Sequence, residues 1–264
     1  MNSKVWLIGG TSDSKAIAKM LTDSGIHFVV TVASPTAQNL YPSGIKVIAG
    51  SMDLKTMKSF CHRYLIRAVI DASHPYAIAV SRQAIAVTTQ LHIPYLRYER
   101  INYQPSSIAS KQAKIIDLDS FEVLLAGNYL TKQKVFLTVG CQILPQFQSW
   151  QTKATLYARV LPKIESLKTA LAAGFTSDRL IAIRPPISIE TETALWKQWN
   201  ISLVVTKASG TSGGEDIKHQ VAANLGIPLI VVARPLVVYP RQTSAMSEVQ
   251  AFCRSVIISG RDSI

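Results

Sequence analysis

The feature that most restricts the fold of this chain is an alternation of short β-branched apolar runs with segments of helical period. Residues 4–8, 28–32, 46–49, 68–71 and 94–97 read as strands. Between them, residues 12–24, 53–65 and 76–91 read as helices, because apolar side chains recur every three or four positions. A strand that is apolar on both faces must be covered on both faces, and strands that each lead into a helix meet that need as a parallel sheet. Residues 98–113 are polar and aperiodic and read as a linker. The alternation then resumes, with strands expected at 135–139, 155–160, 180–183, 203–206 and 229–233. Helices are expected at 119–130, 164–173, 190–199 and 215–225, and a last one at 247–259. The expectation is an α/β chain of two Rossmann-like domains, each with a mainly parallel five-stranded sheet. The domains would be residues 1–98 and residues 99–264, the latter including the C-terminal helix. Ligands of such sheets bind outside the carboxyl ends of the strands, so the active site is expected in the cleft between the domains.

Composition removes several classes of protein. Hydrophobic residues make up 48% and charged residues 17%, which excludes a disordered chain. No apolar stretch approaches the roughly 18 residues of a membrane span, since the longest candidate, residues 227–239, is broken by Pro228, Arg234 and Pro235. The first residues hold too short an apolar run for a signal peptide and read as a strand, so a soluble cytoplasmic protein is expected. Cys61, Cys141 and Cys253 lie far apart, and the histidines show no ligand spacing, so neither a disulfide framework nor a metal site is expected. The formal net charge is +12, an excess that draws anions to the surface. There is no basic tail, basic stripe or nucleic-acid-binding motif, so the expected partner is a small anionic ligand rather than nucleic acid or a membrane.

Candidate binding residues sit at the carboxyl ends of the expected strands. The first strand runs into Gly9, Gly10, Thr11 and Ser12 and then a helix, the context in which backbone N–H groups cradle a phosphate. An ordinary glycine turn reads equally well, because the run lacks the regular GxGxxG spacing. At the end of the second strand stand Ser34 and Thr36 rather than an acidic residue, which favours NADP over NAD. The fourth strand ends in Asp71, Ser73, His74 and Tyr76. These residues would orient a nicotinamide or move a proton, or Asp71 and His74 would merely tie down the loop. In the second half, Gly140 and Arg159 end two strands, and Lys207, Ser209 and Gly210 open a glycine- and hydroxyl-rich loop. Together they suggest a second anion cradle, which is not a Walker A motif because the lysine precedes the glycines.

Six motifs in series resemble those of the precorrin-6A reductase family, including its cobalt-precorrin-6A form. They are GGTSDS, DASHPYA, LTVG, YARVLP, VVTKASG and DIKHQVAANLGIP, the last followed by Arg234 and Pro235. Asp13 and Asp216 stand where the family has glutamate. Pro35 takes the place of an arginine after the second strand, and Pro185-Pro186-Ile187 stands for a GPF turn. The resemblance implies a reductase of corrin-ring (vitamin B12) biosynthesis that delivers hydride from NADPH to the C18–C19 double bond of a polycarboxylate tetrapyrrole. It implies that Gly9, Gly10, Thr11, Ser12 and Ser34 hold NADPH, with Ser73, His74 and Tyr76 beside the nicotinamide. Gly140, Arg159, Lys207, Ser209 and Gly210 would then grip the substrate, and His74 and Lys207 would be the candidate catalytic acids. Nothing in this reading requires more than a monomer. The alternatives are another NADP-dependent α/β reductase of a small anionic substrate, which would usually show a Tyr-x-x-x-Lys pair, and a non-catalytic polyanion-binding module.

Overall fold

A computed structural model describes residues 4–104 and 114–259. The linker expectation at 98–113 therefore falls largely outside the described residues. The chain divides into two compact units, one made of residues up to Ile101 together with those from Leu236 on, the other of Asn102–Pro235.

In the first unit, β1 (Lys4–Ile8), β2 (Phe28–Val32), β3 (Val47–Ala49), β4 (Ile66–Asp71) and β5 (Tyr95–Tyr98) pair in parallel. The sheet order is β12-β5-β4-β1-β2-β3, the sixth strand being the two-residue β12 (Gln242–Thr243). Alternate residues of β1 feed two cores. Val5 and Leu7 pack with Ile17 and Leu21 of α1 (Ser12–Asp23), whereas Trp6 and Ile8 pack with Met57 and Phe60 of α2 (Leu54–Arg63) and Val87 of α3 (Ile78–Gln90). This two-sided burial is what the unbroken apolar strands required.

In the second unit, β6 (Ile115–Leu118), β7 (Lys134–Leu137), β8 (Thr155–Val160), β9 (Leu180–Ala182), β10 (Leu203–Lys207) and β11 (Leu229–Val232) form a sheet of order β6-β11-β10-β7-β8-β9, again parallel throughout. Its helices are α4 (Phe121–Ala126), α5 (Ile164–Ala172), α6 (Ile189–Gln198) and α7 (Glu215–Leu225).

Two expectations are corrected. Each sheet has six strands rather than five. The extra strands are short and weakly apolar: β6 carries Asp117 and is half-buried for most of its length, and β12 is only Gln242 and Thr243. The last helix, α8 (Met246–Ser259), belongs to the first unit, not the second. Val249, Phe252 and Cys253 enter the same core as Leu7 and Ile17, covering a sheet face that α1 alone leaves open. Among the described residues, no helix is long and apolar enough to cross a membrane.

Phe252 is 4% exposed in that core. Phe252→Ala is expected to destabilise the protein by about 3–5 kcal/mol, read as a lower urea midpoint. An unchanged midpoint would mean that the helix does not close the first unit.

Candidate functional site

The β1–α1 turn is built around a serine and a distant tyrosine. Thr11 caps α1 by accepting from the Ser14 amide at 3.1 Å, and its hydroxyl donates to the Ala72 carbonyl at 2.8 Å, tying the turn to the end of β4. The Ser14 hydroxyl oxygen accepts from the amides of Gly10 at 3.1 Å and Thr11 at 3.0 Å. Tyr41 Oη accepts from Gly10 at 2.9 Å and lies 2.6 Å from Ser14 Oγ. Burial raises the Tyr41 pKa, so the phenol stays protonated.

The two glycines have separate reasons to be there. A Cβ on Gly9 would lie 2.2 Å from Tyr41 Oη, a contact no side chain survives. Gly10 has φ +100, and a Cβ there would meet only Val32 Cγ1 at 4.0 Å, so its face is open. A phosphate can approach the backbone there, beside exposed Ser12 at the positive end of the α1 dipole. Asp13 forms an ion pair with Arg100 at 2.6 Å. Ser34 immediately precedes the short 3-10 helix Pro35–Leu40, and its Oγ is 3.1 Å from Thr36 Oγ1.

The loop after β4 rests on a buried ion pair that the sequence reading did not contain. Asp71 and Arg97 are 0% and 1% exposed, with Arg97 Nη1 donating to Asp71 Oδ1 at 2.9 Å. The other carboxylate oxygen accepts from Ser81 Oγ at 2.6 Å and Tyr95 Oη at 2.7 Å. Desolvation and the charge of Asp71 push the Tyr95 pKa far up, which keeps this phenol a donor. Arg97 also donates to Ser73 Oγ at 3.0 Å and pairs with Glu99 at 2.8 Å. Asp71 is therefore an anchor with all its contacts inside the protein, and Ser73 is held from below. Beyond them, His74 is exposed, its Nδ1 accepting from the Tyr76 amide at 3.3 Å.

In the second unit, Gly140 (φ +78) follows Val139 at the end of β7, and a Cβ there would lie 3.8 Å from Lys207 Nζ at the end of neighbouring β10. Burial lowers the Lys207 pKa to about 8, opposed by the nearby Cys141. The loop that follows folds tightly back: a Cβ on Gly213 would lie 2.1 Å from Ser209 Oγ. The Gly210 amide donates to Glu215 Oε2 at 2.6 Å. Arg159 has its carboxylate inside the domain, since it pairs with Glu192, which also accepts from Trp196 Nε1 at 3.1 Å.

The structure thus joins the Gly9–Thr11 turn to the loop after β4 and brings Gly140 to Lys207, whereas Arg159 is drawn into an ion pair of its own. Ser14, Tyr41, Tyr95, Arg97, Glu192 and Glu215 escaped the sequence reading. Among the described residues, no group of three or more His, Cys, Asp or Glu side chains is placed to hold a metal. A cavity of about 1000 Å³ runs along α1, rimmed by Lys4, Lys15, Lys19 and Lys46. Apart from Ser12 it draws little on the strand-end loops.

Two parallel six-stranded sheets, with loops gathered at their carboxyl ends, define a Rossmann-like α/β protein. The family described as precorrin-6x reductase CbiJ/CobK matches residues 4–254. The cobalt-precorrin-6A reductase of Synechocystis is 41% identical over 252 residues, covering 95% of both chains. The enzyme of the same name from Priestia megaterium is 30% identical over 249 residues, covering 93% of this chain and 96% of its own. A solved precorrin-6A reductase, CobK, shares the fold, with a TM-score of 0.79 over 97% of each chain at 22% identity. The chain belongs to the precorrin-6x reductase family and is an enzyme of the reductase class that acts on a carbon–carbon double bond in cobalamin biosynthesis.

Asp71→Asn, which takes from the buried Arg97 guanidinium one of its two carboxylate partners and leaves it Glu99, is expected to destabilise the fold by about 3 kcal/mol. Urea denaturation checks this, and the paired change Asp71→Leu with Arg97→Met should recover much of the loss.

Proposed function

We propose that the chain is an NADPH-dependent reductase that transfers hydride to the C18–C19 double bond of precorrin-6A or cobalt-precorrin-6A. The observation that carries the cofactor half is the open face of Gly10 beside the start of α1, in a chain matched by the family from residue 4 to 254. The residues present fit a dinucleotide. The open face of Gly10 would let the pyrophosphate come close and the exposed Ser12 in the first turn of α1 would receive it, while the amides of Gly9, Gly10 and Thr11, bound to Thr31, Ser14 and Tyr41, hold the turn in shape. No carboxylate follows β2 to repel a 2′-phosphate, and the Ser34 and Thr36 hydroxyls can donate to one. Bound NADPH supplies the hydride.

Ser73, His74 and Tyr76 would flank the nicotinamide, on a loop that the Asp71–Arg97 pair keeps rigid. Lys207 and Ser209, with the backbone at Gly140 and Gly210, would hold carboxylates of the macrocycle. The Gly210 amide is already bound to Glu215, so that glycine contributes the shape of the turn. Arg159, neutralised by Glu192, would support the same sheet edge more than it would grip substrate. The main work is alignment of the two reacting π systems and exclusion of water. Lys207, with a pKa near 8, and exposed His74 are the candidate proton donors, beside water. A polycarboxylate tetrapyrrole as substrate, a single chain as the working unit and a cytoplasmic location, without nucleic acid or membrane, complete the proposal.

The test is an anaerobic assay with precorrin-6A and cobalt-precorrin-6A, each with NADPH or NADH. A product heavier by two hydrogens with NADPH is expected, and no turnover of either macrocycle would overturn the reading. The Lys207 ammonium is present below pH 8 and lost above it, so macrocycle affinity should fall as pH rises through about 8. Lys207→Met should be weak and flat across that range by KM. At the other end, Gly9→Ala should weaken NADPH binding at least about tenfold, because the added methyl displaces the Tyr41 hydroxyl. Titration of Gly9→Ala combined with Tyr41→Phe should recover part of that loss.

A further inference from the structure

The motif DIKHQVAANLGIP places a lysine, Lys218, in the first turns of α7, and the reading above gives it no role. It is 2% exposed, and burial together with the nearby Arg159 lowers its pKa to about 8, so it is still an ammonium at neutral pH. Its Nζ donates to the Gly214 carbonyl at 2.8 Å and to the Gly213 carbonyl at 3.2 Å. The charges acting on it are Glu215 and Asp216 on its own helix, Glu192 on α6, and Arg159 on β8. Glu215 is 3% exposed and binds the Gly210 amide at 2.6 Å. One helix turn therefore grasps the loop by both kinds of backbone group, a carboxylate taking the amide at its start and an ammonium taking the carbonyls at its end. Burying two opposite charges is costly unless their geometry is needed, and an apolar pair would cover a plain helix start as well. The loop held in this way carries Ser209 and follows directly on Lys207.

We propose that Lys218 and Glu215 are positioning residues of the reductase, which clamp the Gly210–Gly214 turn so that Lys207 and Ser209 are presented to a substrate carboxylate. The inference rests on the reading that this loop binds the macrocycle. It differs from a fold-stabilising role in what a lost clamp should change. Lys218→Met removes the side-chain donor from two carbonyls, of which Gly214 keeps only the Lys218 amide at 3.4 Å, in a loop whose shape sets affinity. The KM for the macrocycle should rise about tenfold or more, with the NADPH dissociation constant unchanged. Amide exchange, followed by mass spectrometry on peptides spanning residues 208–216, should quicken while the core strands stay protected.

Glu215→Gln, which keeps an acceptor for Gly210, should retain most of the affinity, whereas Glu215→Leu should lose it. That contrast tests the clamp even where Lys218→Met folds poorly. A folded Lys218→Met or Glu215→Leu enzyme with unchanged KM, or one that loses only thermal stability, would overturn the proposal. Lys207→Ala separates the two levels. Unchanged macrocycle KM in Lys207→Ala would sink the substrate-loop reading itself. A raised KM there, with none in Lys218→Met, would remove the clamp alone.

Discussion

A parallel strand has no face to spare for water. The longer strands β1, β2, β4 and β10 are buried on both sides over most of their length, so each sheet holds together only while helices cover both surfaces. In the first unit that demand is met on one side by α2 and α3 and on the other by α1 with the returning C-terminal helix. The same arrangement sends each longer strand into a loop at its carboxyl end, where backbone amides and helix dipoles collect. The proposed chemistry lies where the sheets stop burying themselves.

The loops at those edges are stiffened from beneath by buried charge. Asp71 and Arg97 lie almost wholly out of water, and the network they form with Ser81, Tyr95, Ser73 and Glu99 satisfies both partners. In the second unit, Arg159 pairs with Glu192, while Glu215 binds the Gly210 amide and Lys218 the Gly213 and Gly214 carbonyls of the loop after β10. Such pairs add little net stability against an apolar alternative, but breaking one is costly. They favour a single loop geometry, which the proposed alignment of two large π systems would require.

The excess of positive charge also finds a use once the substrate is a polycarboxylate. Composition alone left open what the lysines and arginines meet. Inside the fold two of them hardly meet solvent, Arg97 beside Asp71 and Glu99 and Lys218 on the Gly213 and Gly214 carbonyls, and Arg159 is paired with Glu192. Lys207 keeps its ammonium near a glycine at the neighbouring strand end, with burial making that charge easy to lose.

What the sequence determined by itself was the alternation of elements, the parallel sheets and the positions of the strand-end loops. Those follow from local periodicity and from glycines whose backbone needs are local. The family was legible too, because its motifs sit at those loops. The two edge strands were not, since β12 is only Gln242 and Thr243 and β6 interrupts its apolar run with Asp117. Nor was the return of the last helix, whose apolar stripe fits either domain and whose partner, the face beside α1, exists only after folding. Within the site, Gly9 and Gly10 were readable, but the reason for Gly9 is a hydroxyl 32 positions away on Tyr41. Arg159 was readable as a cation at a strand end, whereas its partner Glu192 lies 33 positions on. Tertiary structure alone decided which charges face a ligand and which face each other, because pairing in a low-dielectric interior depends on distance in space and leaves no periodic trace along the chain.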